Sequence, residues 1–248
     1  GGSSADIISS GAGNDIIITA AGTDTVTAGA GNDTVTTGDD ADVIFPGAGV
    51  DILIITDTDA VDTIVLDDAY LGTATAANDS VDIDVVTGFL LETGNDVLRI
   101  DISAIKAIGG VIDFVLVGNA AAPVAAGDGV LKVGGTGSTD LGAATATANY
   151  IEVQSDTGGA TAPATLEGLL EIGGANELKA NAAFAAGDAF LALVDNNIET
   201  VLFLIVVGSV TNNDAKFASG ALTAVELITI AGVVDSALSH ADNFVFVD

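Results

Sequence analysis

The chain has 248 residues, 35 of them acidic and 5 basic, for a formal net charge of −30, yet 49% of it is hydrophobic and its mean hydropathy is +0.59. That apolar content excludes disorder as the default state of so charged a chain, and the length fits one or two domains or a single elongated β structure. With a pI near 4.1 and only Arg99, Lys106, Lys132, Lys179 and Lys216 as cations, neither nucleic acid nor an anionic membrane is an expected partner.

The acids divide into 28 Asp and 7 Glu. Asp belongs to turns and loops, Glu to helix surfaces, so the carboxylates are expected in loops, where they suit calcium. Cys, Met and Trp are absent and His240 is the single histidine, which rules out disulfides and Cys/His zinc sites. Any metal must be hard and oxygen-bound. The longest purely apolar run, 201–207, is far short of the roughly 20 residues a membrane-crossing helix needs. It reads as a buried strand, and no transmembrane insertion is expected. The chain starts at Gly1 without a basic, then apolar, leader, so a processed or truncated chain is expected.

Residues 1–54 divide without a gap into six nine-residue units: GGSSADIIS, SGAGNDIII, TAAGTDTVT, AGAGNDTVT, TGDDADVIF and PGAGVDILI. The sixth position is always Asp (Asp6, Asp15, Asp24, Asp33, Asp42, Asp51) and the eighth always aliphatic (Ile8, Ile17, Val26, Val35, Ile44, Leu53). Gly holds the second position in five units (Gly2, Gly11, Gly29, Gly38, Gly47) and the fourth in four (Gly13, Gly22, Gly31, Gly49). A degenerate seventh unit follows two inserted residues, with Asp62 and Ile64 in the same roles.

The spacing predicts a turn over the first six residues of each unit and a three-residue strand over the last, its central aliphatic side chain facing inward. Two units make one coil, so units n and n+2 stack on the same edge. The Asp residues then form two rows, Asp6, Asp24 and Asp42 on one edge and Asp15, Asp33 and Asp51 on the other. Carboxylates stacked roughly 4.8 Å apart would repel. A divalent cation between successive turns removes the repulsion and finds the all-oxygen shell that calcium prefers. The alternative is a solenoid whose turns merely use good turn formers and bind nothing, but such turns would accept Asn or Ser where these units keep Asp.

These units resemble the glycine-rich nonapeptide of the RTX (repeats-in-toxin, hemolysin-type) family, G-G-x-G-x-D-x-U-x, whose parallel β-roll binds Ca²⁺. The resemblance implies that each ion is held by sixth-position Asp side chains and by turn carbonyls from stacked units, including those of Gly11, Gly13, Gly29, Gly31, Gly47 and Gly49. It pairs Asp6 with Asp24, Asp15 with Asp33, Asp24 with Asp42 and Asp33 with Asp51, with a further site at Asp42 and Asp62. Ser4, Ala20 and Asp40 depart from the glycine pattern, and looser turns are expected there.

Beyond about residue 65 the nine-residue period is lost. Strands are expected at 81–86, 97–102, 111–117, 130–133, 150–154, 190–194, 201–207, 222–230 and 244–247, with a hairpin over 188–207 turning at Asp195, Asn196 and Asn197. Short helices are expected at 164–171 and 176–183. The fold class is therefore all-β: a parallel β-roll over 1–66, then a β-rich region over 67–248, either a β-sandwich or solenoid-like. Residues 84–103 are similar to the segment that caps many RTX rolls. The hairpin and residues 222–248 are similar to C-terminal regions of RTX proteins exported by type I secretion, although 243–247 also reads as a plain edge strand.

No catalytic constellation is found. A Cys nucleophile is impossible, no phosphate loop or dinucleotide fingerprint occurs, and His240 lies near no nucleophile elbow. A carboxylate pair of the glycosidase kind stays open, since 35 acids are present. The expectation is a non-enzyme: an exported, calcium-binding structural protein at the cell surface or outside the cell, of the S-layer, fibre or matrix kind, passing through a type I secretion machinery and forming a homo-oligomer or polymer. About five Ca²⁺ would bring the charge from −30 to about −20. A first coil starting at Gly1 leaves open strand edges, on which more repeats, another domain or a neighbouring subunit would stack. The alternative reading is a C-terminal folding and secretion module of a larger enzyme or adhesin.

Overall fold

The computed structural model describes residues 1–56, 59–67, 84–90, 96–101, 129–133, 139–140, 148–154, 170, 178–179, 186, 189–195, 199–209, 217, 219–232 and 244–247. The expected strand at 111–117 lies outside the described residues, as does all of the expected helix at 164–171 except Leu170, which is helical.

Each pair of nine-residue units makes one coil. The first coil consists of β1 (Ile7–Ala12) and β2 (Ile16–Ile18), the second of β3 (Thr25–Ala30) and β4 (Thr34–Thr36), the third of β5 (Val43–Ala48) and β6 (Ile52–Ile54). Strands stack two units apart in parallel: Val26 pairs with Ile8 and Ile44 in one sheet, Val35 with Ile17 and Leu53 in the other. The expected three-residue strand holds for β2, β4 and β6. Strands β1, β3 and β5 are twice that length, because pairing runs on into the next turn, where Gly11, Gly29 and Gly47 stack in register.

The coil register continues past the perfect repeats. β7 (Thr63–Leu66) stacks on β5, with Ile64 opposite Ile44, as the degenerate seventh unit requires. β8 (Asp84–Thr87) stacks on β6 and β9 (Val97–Asp101) on β7. The eighth-position side chains Val26, Val35, Ile44, Leu53 and Ile64 are fully buried, and Val86 and Leu98 extend the two columns. Burying each such side chain contributes about 1.5–3 kcal/mol, which is the packing reason the strands face this way.

Most of the remaining described strands extend the same sheets, and β11 (Thr139–Asp140) and β13 (Leu178–Lys179) form a separate two-stranded one. β10 (Gly129–Val133), β12 (Ala148–Gln154), β14 (Ala189–Asp195), β15 (Glu199–Val207) and β16 (Leu222–Ala231) add to one sheet, giving the order β10-β12-β14-β15-β16-β8-β6-β4-β2. β17 (Phe244–Val247) adds to the other, giving β1-β3-β5-β7-β9-β17. The expected hairpin is present as antiparallel β14 and β15, and β15 is in turn antiparallel to β16. β16 lies parallel to β8, so Leu227, Ile228 and Ile230 share one core with Leu53 and Val86. Phe190, Phe203 and Ile205 are buried as well, which accounts for the uninterrupted apolar run in β15.

One expectation is overturned. Leu178–Lys179, placed by sequence in a helix over 176–183, are the short strand β13, paired in parallel with β11 (Thr139–Asp140). Helix propensity is a weak local preference that tertiary pairing overrides. Among the described residues no helix is long and apolar enough to cross a membrane.

Candidate metal centre

Stacking by coils brings the sixth-position aspartates into two rows, as their spacing requires. On one edge the Oδ1 atoms of Asp24, Asp42, Asp62 and Asp96 accept the backbone N–H of Asp6, Asp24, Asp42 and Asp62 at 2.7, 2.8, 2.8 and 3.0 Å. On the other, Oδ1 of Asp33, Asp51 and Asp84 accepts the N–H of Asp15, Asp33 and Asp51 at 2.8, 2.7 and 2.7 Å. One carboxylate oxygen of each stacked residue is thus spent tying its coil to the coil before it. The Asp main-chain carbonyls are spent on strand pairing: those of Asp15 and Asp33 accept the N–H of Thr34 and Ile52 at 2.9 Å each.

The second carboxylate oxygen is what remains. Asp24 is 0% and Asp33 1% exposed, and the Oδ2 atoms of Asp15, Asp24 and Asp33 are buried with no hydrogen-bond partner. Leaving a buried carboxylate oxygen unsatisfied costs several kcal/mol, and two such charges at a coil spacing of roughly 4.8 Å repel by about 3–4 kcal/mol at an effective dielectric near 20. Burial pushes the Asp42 carboxyl above its ordinary pKa, and the nearby Asp24 charge adds to this, against the N–H groups of Asp24 and Gly38 and the Thr19 hydroxyl. The rows are therefore strained as a metal-free arrangement.

The turns supply the rest of an oxygen shell. Gly11, Gly29 and Gly47 have φ of 100°, 112° and 95°, and a Cβ on Gly29 would land on the carbonyl oxygen of Gly11. Gly13, Gly31 and Gly49 form a second such column, with Gly31 stacked on the Gly13 carbonyl and Gly49 on that of Gly31. Ala20 and Asp40, which depart from the glycine pattern, are held in the same left-handed region with φ of 78° and 75°. Their turns keep the repeat geometry at the cost of strain.

Among the described residues no group of three or more His, Cys, Asp or Glu side chains could hold a metal by itself. A site made of carboxylates from stacked coils and turn carbonyls requires no such group. Orphaned buried carboxylate oxygens beside carbonyl-lined turns fit a hard divalent cation, which would neutralise the rows and cross-link successive coils. Asp15, Asp24 and Asp33 carry the oxygens that would face it.

Asp84 and Asp96 extend the rows and were not assigned by sequence. Their signal survives as Asp84-Val85-Val86 and Asn95-Asp96-Val97-Leu98, the same Asp-x-aliphatic step as Asn14-Asp15-Ile16-Ile17. It is masked because Asp84 and Asp96 stand 33 and 34 residues from their stacking partners, in place of 18.

The family model of the RTX calcium-binding nonapeptide repeat matches residues 1–26 and 18–53, in four copies. No curated protein and no solved structure matches the chain. The N-terminal part of this protein is thus a run of RTX calcium-binding nonapeptide repeats, folded as a parallel β-roll.

Proposed function

We propose that this is an exported structural protein that folds when it meets calcium and assembles at the cell surface or outside the cell, in a layer, fibre or matrix. The observation that carries this reading is the pair of buried Asp rows with the orphaned Oδ2 atoms of Asp15, Asp24 and Asp33. At low calcium the rows repel and the coils lack their cross-links, so the chain stays unfolded and exportable. At high calcium, binding free energy becomes folding free energy. A role in assembly is supported by outward-facing apolar side chains on the roll, Ile7, Ile16 and Ile52, which are exposed. The role is structural rather than catalytic.

The test is far-UV circular dichroism with and without calcium. The expected result is a coil-like spectrum in chelator that becomes β-rich in millimolar calcium; a β spectrum unchanged by chelator overturns calcium-dependent folding. Light scattering under the same conditions is expected to show growth in particle size with calcium. A persistent monomer favours the second reading, in which the chain is a folding and secretion module of a larger enzyme or adhesin.

A further inference from the structure

The turns of the roll are not equivalent toward a cation. At Asp15, Asp24 and Asp33 the buried Oδ2 has no hydrogen-bond partner. At three other sixth positions it is already engaged. Asp6 Oδ2 accepts the N–H of Gly2 at 2.8 Å, Asp96 Oδ2 that of Leu90 at 2.8 Å, and Asp42 Oδ2 both the Thr19 hydroxyl at 3.2 Å and the Gly38 N–H at 3.5 Å. The backbone explains the division in the perfect repeats. Where the second residue of the unit is left-handed, as at Gly11, Ala20 and Gly29, its N–H does not reach the carboxylate; Gly2 and Gly38 lie outside that region and their N–H groups do.

We propose that the roll contains two classes of turn: open ones, at Asp15, Asp24 and Asp33, whose carboxylates take calcium, and closed ones, at Asp6 and Asp42, in which an N–H or O–H donor stands in for the ion. A backbone N–H has no lone pair for a cation and carries partial positive charge toward the oxygen it meets, so it satisfies the carboxylate and repels a metal from the same place. The Thr19 hydroxyl reinforces this at Asp42, the one closed carboxylate of this pair that is fully buried. Calcium-binding capacity is thus set by the conformation of the second residue in the unit, not by the presence of Asp at the sixth. The inference rests on the calcium reading above and sharpens it.

The test compares Asp15→Asn with Asp6→Asn, two half-buried residues on opposite edges of the first coil. The number of calcium ions bound at saturation is measured by isothermal titration on the full chain, with circular dichroism confirming that each variant is folded. Asp15→Asn is expected to lower the count by at least one ion and Asp6→Asn to leave it unchanged. Loss of an ion in Asp6→Asn, or none in Asp15→Asn, overturns the proposal. Asp33→Asn against Asp42→Asn repeats the comparison in the buried coils, with the same expected contrast. A parent chain that binds no calcium would sink the calcium reading itself, a result distinct from either outcome among the variants.

Discussion

The two edges of the roll are built from one nine-residue unit and solve the same stacking problem differently. On the edge of Asp15 and Asp33, glycine fills the second and fourth positions of every unit, all six glycines have positive φ, and the Asn14 side chain accepts the N–H of Asn32 while Asn32 accepts that of Val50. On the edge of Asp6, Asp24 and Asp42, Ala20 and Asp40 stand where glycine is expected, Gly22 donates to the Asp40 side chain at 3.2 Å, and the Thr19 hydroxyl closes on Asp42. A uniform backbone stacks carbonyl on carbonyl and leaves carboxylate oxygens for a metal. On the less uniform edge the Asp24 oxygen stays open, while donors from Gly2, Gly38 and Thr19 engage those of Asp6 and Asp42.

The sharpest way to break this comparison is a methyl group on each edge. In Gly29→Ala the new Cβ meets the Gly11 carbonyl at a residue whose φ is 112°, so steric overlap adds to backbone strain and the expected loss is about 2–6 kcal/mol. Gly11→Ala has comparable strain with no atom within 4 Å of the Cβ and isolates the strain part, about 1–3 kcal/mol. In Gly2→Ala the Cβ comes only to 3.9 Å from Asp6 Oδ2, in ordinary contact, and the expected loss is below about 0.5 kcal/mol. Denaturant melts in saturating calcium read all three. Equal losses at Gly2 and Gly11, which hold the same position in the two units of the first coil, would mean that the edges do not differ there.

A smaller effect of opposite sign is expected at Ala20. Relieving a left-handed L-residue is worth about 1–2 kcal/mol, from which the greater freedom of glycine in the unfolded chain takes about 0.4–1. Ala20→Gly should therefore stabilise the protein by about 0.5–1 kcal/mol, a rise of a few degrees in Tm, with the calcium count unchanged. Asp40→Gly should change stability little, because Asp tolerates the left-handed region better and its side chain accepts the Gly22 N–H. A destabilised Ala20→Gly would show that this turn is not strained.

These differences between edges are where the sequence stops being legible. The rows themselves could be read from it, because a fixed spacing of Asp and aliphatic residues admits one stacking, and Asp62 with Ile64 kept the pattern across a two-residue insertion. Asp84 and Asp96 could not, since longer insertions break the count while the Asp-x-aliphatic step persists. Open and closed turns were invisible for a different reason. Gly2 and Gly38 match the repeat yet adopt ordinary φ, whereas Ala20 departs from it and is left-handed. Glycine permits a conformation without requiring it, and the coil above and below decides.

Outside both edges, Glu226 offers a carboxylate that should answer to pH and not to calcium. It lies in β16, half-buried, with Oε1 accepting the Thr229 hydroxyl at 2.6 Å. Burial raises its pKa above the ordinary 4.5, and the charge of Glu199 on the neighbouring strand β15 adds to this, while the Thr229 hydrogen bond opposes it. A folded-state pKa above the unfolded one means that the favourable protonated form is fully present below about pH 4.5 and that stability is lost as pH rises through the folded value. Glu226→Gln keeps the hydrogen-bond acceptor and removes the charge. Relative to the parent, its melting temperature should therefore be unchanged below about pH 4.5 and higher at neutral pH, by the same margin at low and at saturating calcium wherever β16 is folded. A margin that disappears when calcium saturates would tie Glu226 to the metal rows and extend the first comparison into the C-terminal sheet. A margin independent of calcium leaves the metal chemistry with the stacked aspartates, whose second carboxylate oxygens are left to a cation or met by a donor group.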